Sequence, residues 1–147
     1  MSADEKKAIV RRIHDELNQG NLRIVEELYA PDYVSHVGNQ IGGLREYKEY
    51  LVSHRKAFPD WQTTIEEILA VEDLVVTRIS ERGTHLGEWN HRHVGKVAAT
   101  DRAVSASRII IRRIANGRVA ESWISADHLG LLTQVVGAIQ TASGAAP

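Results

Sequence analysis

The sequence predicts an α+β domain, with helices packed on one face of a strongly bent, mostly antiparallel sheet. The first reason is a change of period. Apolar residues recur at spacings of three and four up to Phe58, and from Trp61 onward they alternate. The second is Asn116-Gly117 between two β-rich runs, a two-residue hairpin signal because a type I′ turn needs positive φ at both positions. The third is length, since 147 residues leave room for one domain and little else. That domain is expected over residues 1–138, with the small-residue stretch 139–147 as a flexible tail.

The elements follow in order. Ser2 and Glu5 form a capping box, and Ile9, Ile13 and Leu17 then mark one helical stripe that ends at Gln19-Gly20-Asn21. A short second helix carries Leu22, Val25, Leu28 and Tyr29 and is stopped by Pro31. Asp32 to Gly43 reads as a loop. A third helix runs from about Leu44 to Ala57 and is terminated by Pro59. A first strand starts at Trp61, and Glu72-Asp73 turns it into a second, Leu74 to Thr84. Residues 86–101 read as a polar, Gly-containing loop. A long strand, about Arg102 to Ile114, enters the Asn116-Gly117 turn and returns as Arg118 to Ala126. A short helix, about Asp127 to Val136, closes the pattern.

Composition narrows the functional classes. A net charge of −1 gives no overall field toward nucleic acid or acidic membranes, so neither is expected as a partner. The absence of cysteine removes disulfides, thiolate nucleophiles and zinc–sulfur sites, and fits a reducing cytoplasm. The charged, periodic start is neither a signal peptide nor a membrane span. A soluble cytoplasmic domain is the expectation.

Several stretches carry a resemblance. Tyr29-Ala30-Pro31-Asp32-Tyr33-Val34-Ser35-His36, Ala57-Phe58-Pro59-Asp60, Gly83-Thr84-His85-Leu86-Gly87-Glu88-Trp89, Asn116-Gly117-Arg118-Val119-Ala120-Glu121-Ser122-Trp123 and Ala126-Asp127-His128-Leu129-Gly130-Leu131-Leu132 stand in the order of motifs of one family. Together they resemble the SnoaL-like polyketide cyclases of the nuclear transport factor 2-like superfamily. The resemblance implies a cone-shaped α+β barrel enclosing a small-molecule pocket, usually dimeric through the sheet. It does not transfer a reaction, because one fold hosts many.

The resemblance also implies where an acid should stand. Such cyclases place a carboxylate directly after the aromatic residue of the final strand, where this chain has Ile124 after Trp123. The second group, a His or Asp on the preceding strand, falls near Ile110. Isoleucine cannot transfer a proton, so the ordinary cyclase mechanism is not expected. Arg108 lies two residues before Ile110 and shares its face. It either pairs with a carboxylate, snorkels to the rim, or clamps a substrate oxygen. Glu81 shares parity with Val75, Thr77 and Ile79, and a carboxylate on that apolar face must be paired or its ionised form is disfavoured. Pairing with Arg108, service as a general base, and rim exposure after a bulge all remain open.

His36 and His85 sit in matched motifs, either as structural hydrogen-bonders or near the pocket mouth. Tyr33, Tyr50, Trp61 and Trp89 either fill core or, with Ile110 and Ile124, line the pocket. The catalytic candidates are therefore Glu81, Arg108 and His85. The 88–93 loop has ligand residue types but no preformed geometry, so no metal is expected, and no cofactor either. Asp127 reads as a helix cap. The leading reading is a cofactor-independent lyase, isomerase or epoxide-hydrolase type of protein acting on a small, largely apolar organic ligand of polyketide, steroid-like or epoxide kind. A non-catalytic ligand-binding module and a dimeric scaffold are the alternatives, and a homodimer is expected in any case.

Overall fold

The computed structural model describes residues 1–137, so the expected tail at 139–147 lies outside the described residues. Helix α1 spans Ala3–Asn18, and its capping box is formed, with Ser2 Oγ accepting from Glu5 N and Glu5 Oε2 accepting from Ser2 N. Helix α2 is short, Ile24–Leu28. Strand β1 (Tyr29–Val37) and strand β2 (Gln40–Gly43) follow, then α3 (Leu44–Ala57). The rest is β3 (Gln62–Val71), β4 (Leu74–Thr84), the short pair β5 (Trp89–His91) and β6 (Gly95–Val97), β7 (Ala103–Ala115), β8 (Arg118–Ala126) and α4 (His128–Val136).

Six strands form one sheet in the order β2-β1-β8-β7-β4-β3. Only β1 and β8 run parallel, and every other neighbouring pair is antiparallel. The sheet curves around α1 and α3, which pack against β3 and β1 on its inner face. One core cluster joins Val10 and Ile13 of α1 to Ile24, Val25, Tyr29, Val75 and Val119. A second joins Ala57, Phe58 and Trp61 to Val104 and Val135. Asn116 (φ 52°) and Gly117 (φ 74°) make the expected tight turn between β7 and β8.

Two expected loops are strands. Residues 32–43 form most of the β1–β2 hairpin, with Val37 paired to Gln40 across Gly38-Asn39 and Gly38 at φ 58°. A two-residue Gly-Asn turn is a hairpin signal in its own right. Pro31 starts no new element but sits inside β1, where the register to β8 jumps between Tyr29 and Val34, so its missing N–H breaks no ladder bond there. Tyr29 accordingly belongs to the strand, not to the second helix. The expected loop 86–101 contains the β5–β6 hairpin, which folds toward α3.

Candidate functional site

Alternation along β7 aims Arg108, Ile110 and Arg112 at the same face. That face meets α1 and α3 around an internal cavity of about 70 Å³. Ile110 and Ile124 are cross-strand partners and form its floor. Helix α1 contributes His14, Leu17 and Asn18, and α3 contributes Tyr50, His54 and Arg55. Tyr29 and Tyr33 of β1, Tyr47 of α3 and Ser122 of β8 close the far end. Aliphatic and aromatic carbon covers most of the wall, while the polar groups set its character. No Asp or Glu among the described residues lines it, and three guanidinium groups do.

The Arg108 guanidinium grips Glu81 with both ends of the fork, Nε to Oε1 at 2.6 Å and Nη2 to Oε2 at 2.8 Å. Trp61 Nε1 donates to the same Oε2 at 2.9 Å. Glu81 is buried behind the arginine, so the carboxylate holds Arg108 and does not itself line the cavity. Burial works to lower the Arg108 pKa, but the facing Glu81 carboxylate, with the neighbouring phenols, outweighs it and raises the value above its already high ordinary one. Two of the five guanidinium N–H groups are committed to Glu81, which leaves three for other partners.

Arg112 differs. It is 3% exposed and has no carboxylate partner among the described residues. Its Nη1 donates to Thr77 Oγ1 at 3.2 Å, and its Nη2 lies 3.2 Å from His14 Nε2. Arg112 carries no lone pair, so His14 Nε2 must accept and the proton of the neutral ring sits on Nδ1. Nδ1 then donates to Thr63 Oγ1 at 2.9 Å, and that hydroxyl donates to Asn18 Oδ1 at 3.2 Å. Burial, then the Arg112 and Arg108 charges, push the His14 pKa down to about 2. His54 is held neutral in the same way, by burial first and then by Arg108 and Arg55, at about 3. It stacks on Tyr50 and meets Trp61 edge-on, and its Nε2 has no hydrogen-bond partner. Burial also raises the Tyr33 phenol, which stays protonated.

Of the residues singled out from the sequence, the structure brings Arg108, Tyr33, Tyr50, Trp61, Ile110 and Ile124 together around this cavity. His36 and Trp89 lie elsewhere. Tyr33 and Ser35 point inward, so His36 points to the outer face, where it stacks on Trp123 and bonds Glu121 at 2.7 Å. Trp89 packs against Phe58 at the base of the β5–β6 hairpin. His85 is also away from the cavity, with Nδ1 bound to the Thr100 hydroxyl and backbone N–H, which pins residues 86–101 to β4. Asp127 caps α4 through Gly130 N. The cavity residues that the sequence reading did not single out include Arg112, His14, His54 and Ser122. Arg112 could have been found by carrying the Arg108–Ile110 parity two residues further.

An open-ended cone of curved sheet over helices, with a cavity on its inner face, defines a class of small-molecule-binding α+β domains. The SnoaL-like polyketide cyclase family model matches residues 7–135, and the chain belongs to that family. Solved structures agree. AclR of Streptomyces galilaeus, a candidate hydroxylase, is 27% identical with a TM-score of 0.85, covering 95% of this chain and 86% of its own. IdmH of Streptomyces antibioticus, a candidate polyketide cyclase, is 26% identical with a TM-score of 0.73, covering 89% and 98%. A candidate SnoaL-like polyketide cyclase of Jannaschia sp. CCS1, 21% identical with a TM-score of 0.80 over 94% and 95%, shares the fold. Among curated proteins, none matches.

Proposed function

We propose that this chain is a cofactor-independent enzyme of cyclase or isomerase type that stabilises the enolate of a small carbonyl compound with Arg108. The observation that carries the reading is a guanidinium held in place by a buried carboxylate, at a cavity that no carboxylate lines among the described residues. Solvent water or a buffer base entering at the cavity mouth takes the α-proton, and the negative charge left behind shifts onto the carbonyl oxygen. A fixed N–H fork placed there is stronger in the transition state than in the ground state, which is what lowers a barrier. Glu81 has both oxygens committed, so its role here is to position Arg108 rather than to carry the proton.

Size limits the substrate. An apolar cavity of roughly 150 Å³ takes a benzene, so about 70 Å³ admits a small molecule or one arm of a larger polyketide-like one. Half-exposed Tyr50 stands at the mouth, where the remainder of a longer ligand would lie. The test is exchange of α-protons of small 1,3-dicarbonyl compounds in D2O, followed by proton NMR. Exchange about a hundredfold above buffer is expected, with most of it lost in Arg108→Met, since single donors of this type contribute roughly 10²–10³ in rate. Exchange at the buffer rate, or unchanged exchange in the variant, would end the proposal.

A second reading, a non-catalytic binding module, is favoured by a separate fact. The two histidines of the cavity have pKa values of about 2 and about 3, far from neutrality and weak as bases. Binding of the same compounds with no exchange would select it. We also propose a homodimer through the outer sheet face, where Leu69, Val71 and Ile109 are exposed beside Trp123. Light scattering on the eluting peak measures its mass.

A further inference from the structure

Arg112 is not used by the reading above, and its surroundings are unusual for a buried cation. It is four residues along β7 from Arg108, roughly 13 Å at about 3.3 Å per residue, with Ile110 between them. The two ends of the cavity therefore differ in charge. At one end Arg108 is neutralised by Glu81. At the other, among the described residues Arg112 meets neutral groups alone: Thr77 and a His14 ring whose accepting nitrogen faces it.

The same end holds unused donors. Arg112 Nε is buried without a hydrogen-bond partner, and Ser122 Oγ, on a residue that is 1% exposed, has no neighbour to bond but the adjacent Tyr33 phenol. Arg112 and Ser122 are cross-strand partners, so both groups rise from adjacent points of the same face, with the protonated phenol of Tyr33 beside them on the cavity wall. Buried donors of this kind are nearly always satisfied in folded proteins. A planar guanidinium with free N–H groups and a nearby hydroxyl matches the two oxygens of a carboxylate.

We propose that Arg112, Ser122 and Tyr33 form a carboxylate-binding subsite, so that the ligand of this cavity is an organic monoacid. A monoanion is the class because one positive charge is uncompensated. A phosphate dianion would overcharge the site. The body of the acid lies over Ile110 and Ile124, and its reacting carbons reach toward Arg108. The proposal deepens the functional reading and rests on it for the use of one shared cavity, yet it concerns different residues and is read by binding rather than turnover.

The experiment is calorimetric titration of the full chain with propanoate, propanamide and inorganic phosphate at constant ionic strength. Propanoate is expected to bind, with propanamide and phosphate each at least tenfold weaker. Arg112→Met should abolish propanoate binding, and Ser122→Ala should weaken it several-fold. Arg112→Lys keeps the charge, loses the fork and should also weaken it, which covers the case in which Arg112→Met fails to fold. Propanamide or phosphate binding as tightly as propanoate overturns the proposal, as does full propanoate affinity in Arg112→Lys and Ser122→Ala. Propanoate binding without any α-proton exchange leaves this subsite standing and removes only the catalytic reading. Exchange without propanoate binding does the reverse.

Discussion

Replacing Glu81 with Leu tests whether the Glu81–Arg108 pair is a buried clamp or an incidental contact. The carboxylate accepts three hydrogen bonds, two from Arg108 and one from Trp61. Side-chain exposure is 2% for Glu81 and 20% for Arg108, so solvent screens the pair little. Removing one partner of a buried pair leaves the other charge uncompensated, at a cost of about 3–5 kcal/mol. The Trp61 indole N–H is orphaned as well, which places Glu81→Leu toward the upper end of that range. Arg108→Met should cost a similar amount, since it strands a buried carboxylate. The double variant removes both charges and fills the space with apolar groups, and such exchanges are often close to neutral. It should therefore recover most of the loss, keeping only about 2 kcal/mol for the orphaned Trp61 N–H, which against singles of about 5 and 4 kcal/mol gives a coupling of about 7 kcal/mol. For a chain of this size each kcal/mol moves Tm by roughly 2–4 °C, so the single variants should melt about 10 °C below the parent. Urea unfolding followed by tryptophan fluorescence measures all four corners of the cycle. A coupling below about 1 kcal/mol would place the pair among ordinary surface bridges and remove the basis for treating Arg108 as held in position.

Two further predictions concern the same region. His14 and His54 are neutral in the fold, with pKa values of about 2 and about 3, and return to about 6.5 when unfolded. The unfolded chain therefore binds more protons between those limits, so stability is full above pH 6.5 and falls as pH drops. Each histidine should remove about 2 kcal/mol between pH 7 and pH 5, a loss read from urea midpoints and roughly halved in His54→Leu. Constant stability over that interval would contradict the buried neutral state. At Gly83, a Cβ would stand 2.6 Å from Trp61 Cε3, so Gly83→Ala must displace the indole that supports Glu81. A loss of about 1–3 kcal/mol is expected, with a shifted tryptophan emission. Unchanged emission would mean that the indole position does not depend on that glycine.

The fold was legible where local chemistry is strong. The Ser2–Glu5 box, the Leu44–Ala57 stripe and the Asn116-Gly117 turn each specify an element through nearby residues, and α1, α3 and the β7–β8 hairpin stand where those signals put them. The β1 strand was not legible, because Pro31 and the polar run after it read as a loop, and its pairing with β8 spans most of the chain. Long-range parallel pairing leaves no local mark. The site divides along the same line. Parity along one strand linked Arg108 to Ile110, and parity between strands brought Glu81 to the same face. His14 was missed because the α1 stripe was read from Ile9, Ile13 and Leu17 alone. A core-facing stripe is wide enough to bury Val10 and His14 beside them. Arg112 was missed because arginines are almost never fully buried unless paired, and that expectation hides the case in which a buried arginine lacks a carboxylate.

The same exception explains how the cavity fits its family. A carboxylate at position 124 would sit across from Ile110 and between two arginines, where it would neutralise one of them. Isoleucine at both positions leaves the charge in place. The cost of burying Arg112 without a counter-ion falls on the folded protein, and His14, Thr63 and Asn18 form a hydrogen-bond chain that orients the neutral acceptor toward it. Such an arrangement is costly as structure alone, since apolar residues would fill the same space more favourably. A ligand carboxylate offsets that cost when it binds, and in doing so contributes affinity from a charge the fold has already desolvated. With isoleucine at positions 110 and 124 and Arg112 without a carboxylate among the described residues, this is a cavity suited to receive a negative charge rather than to supply one.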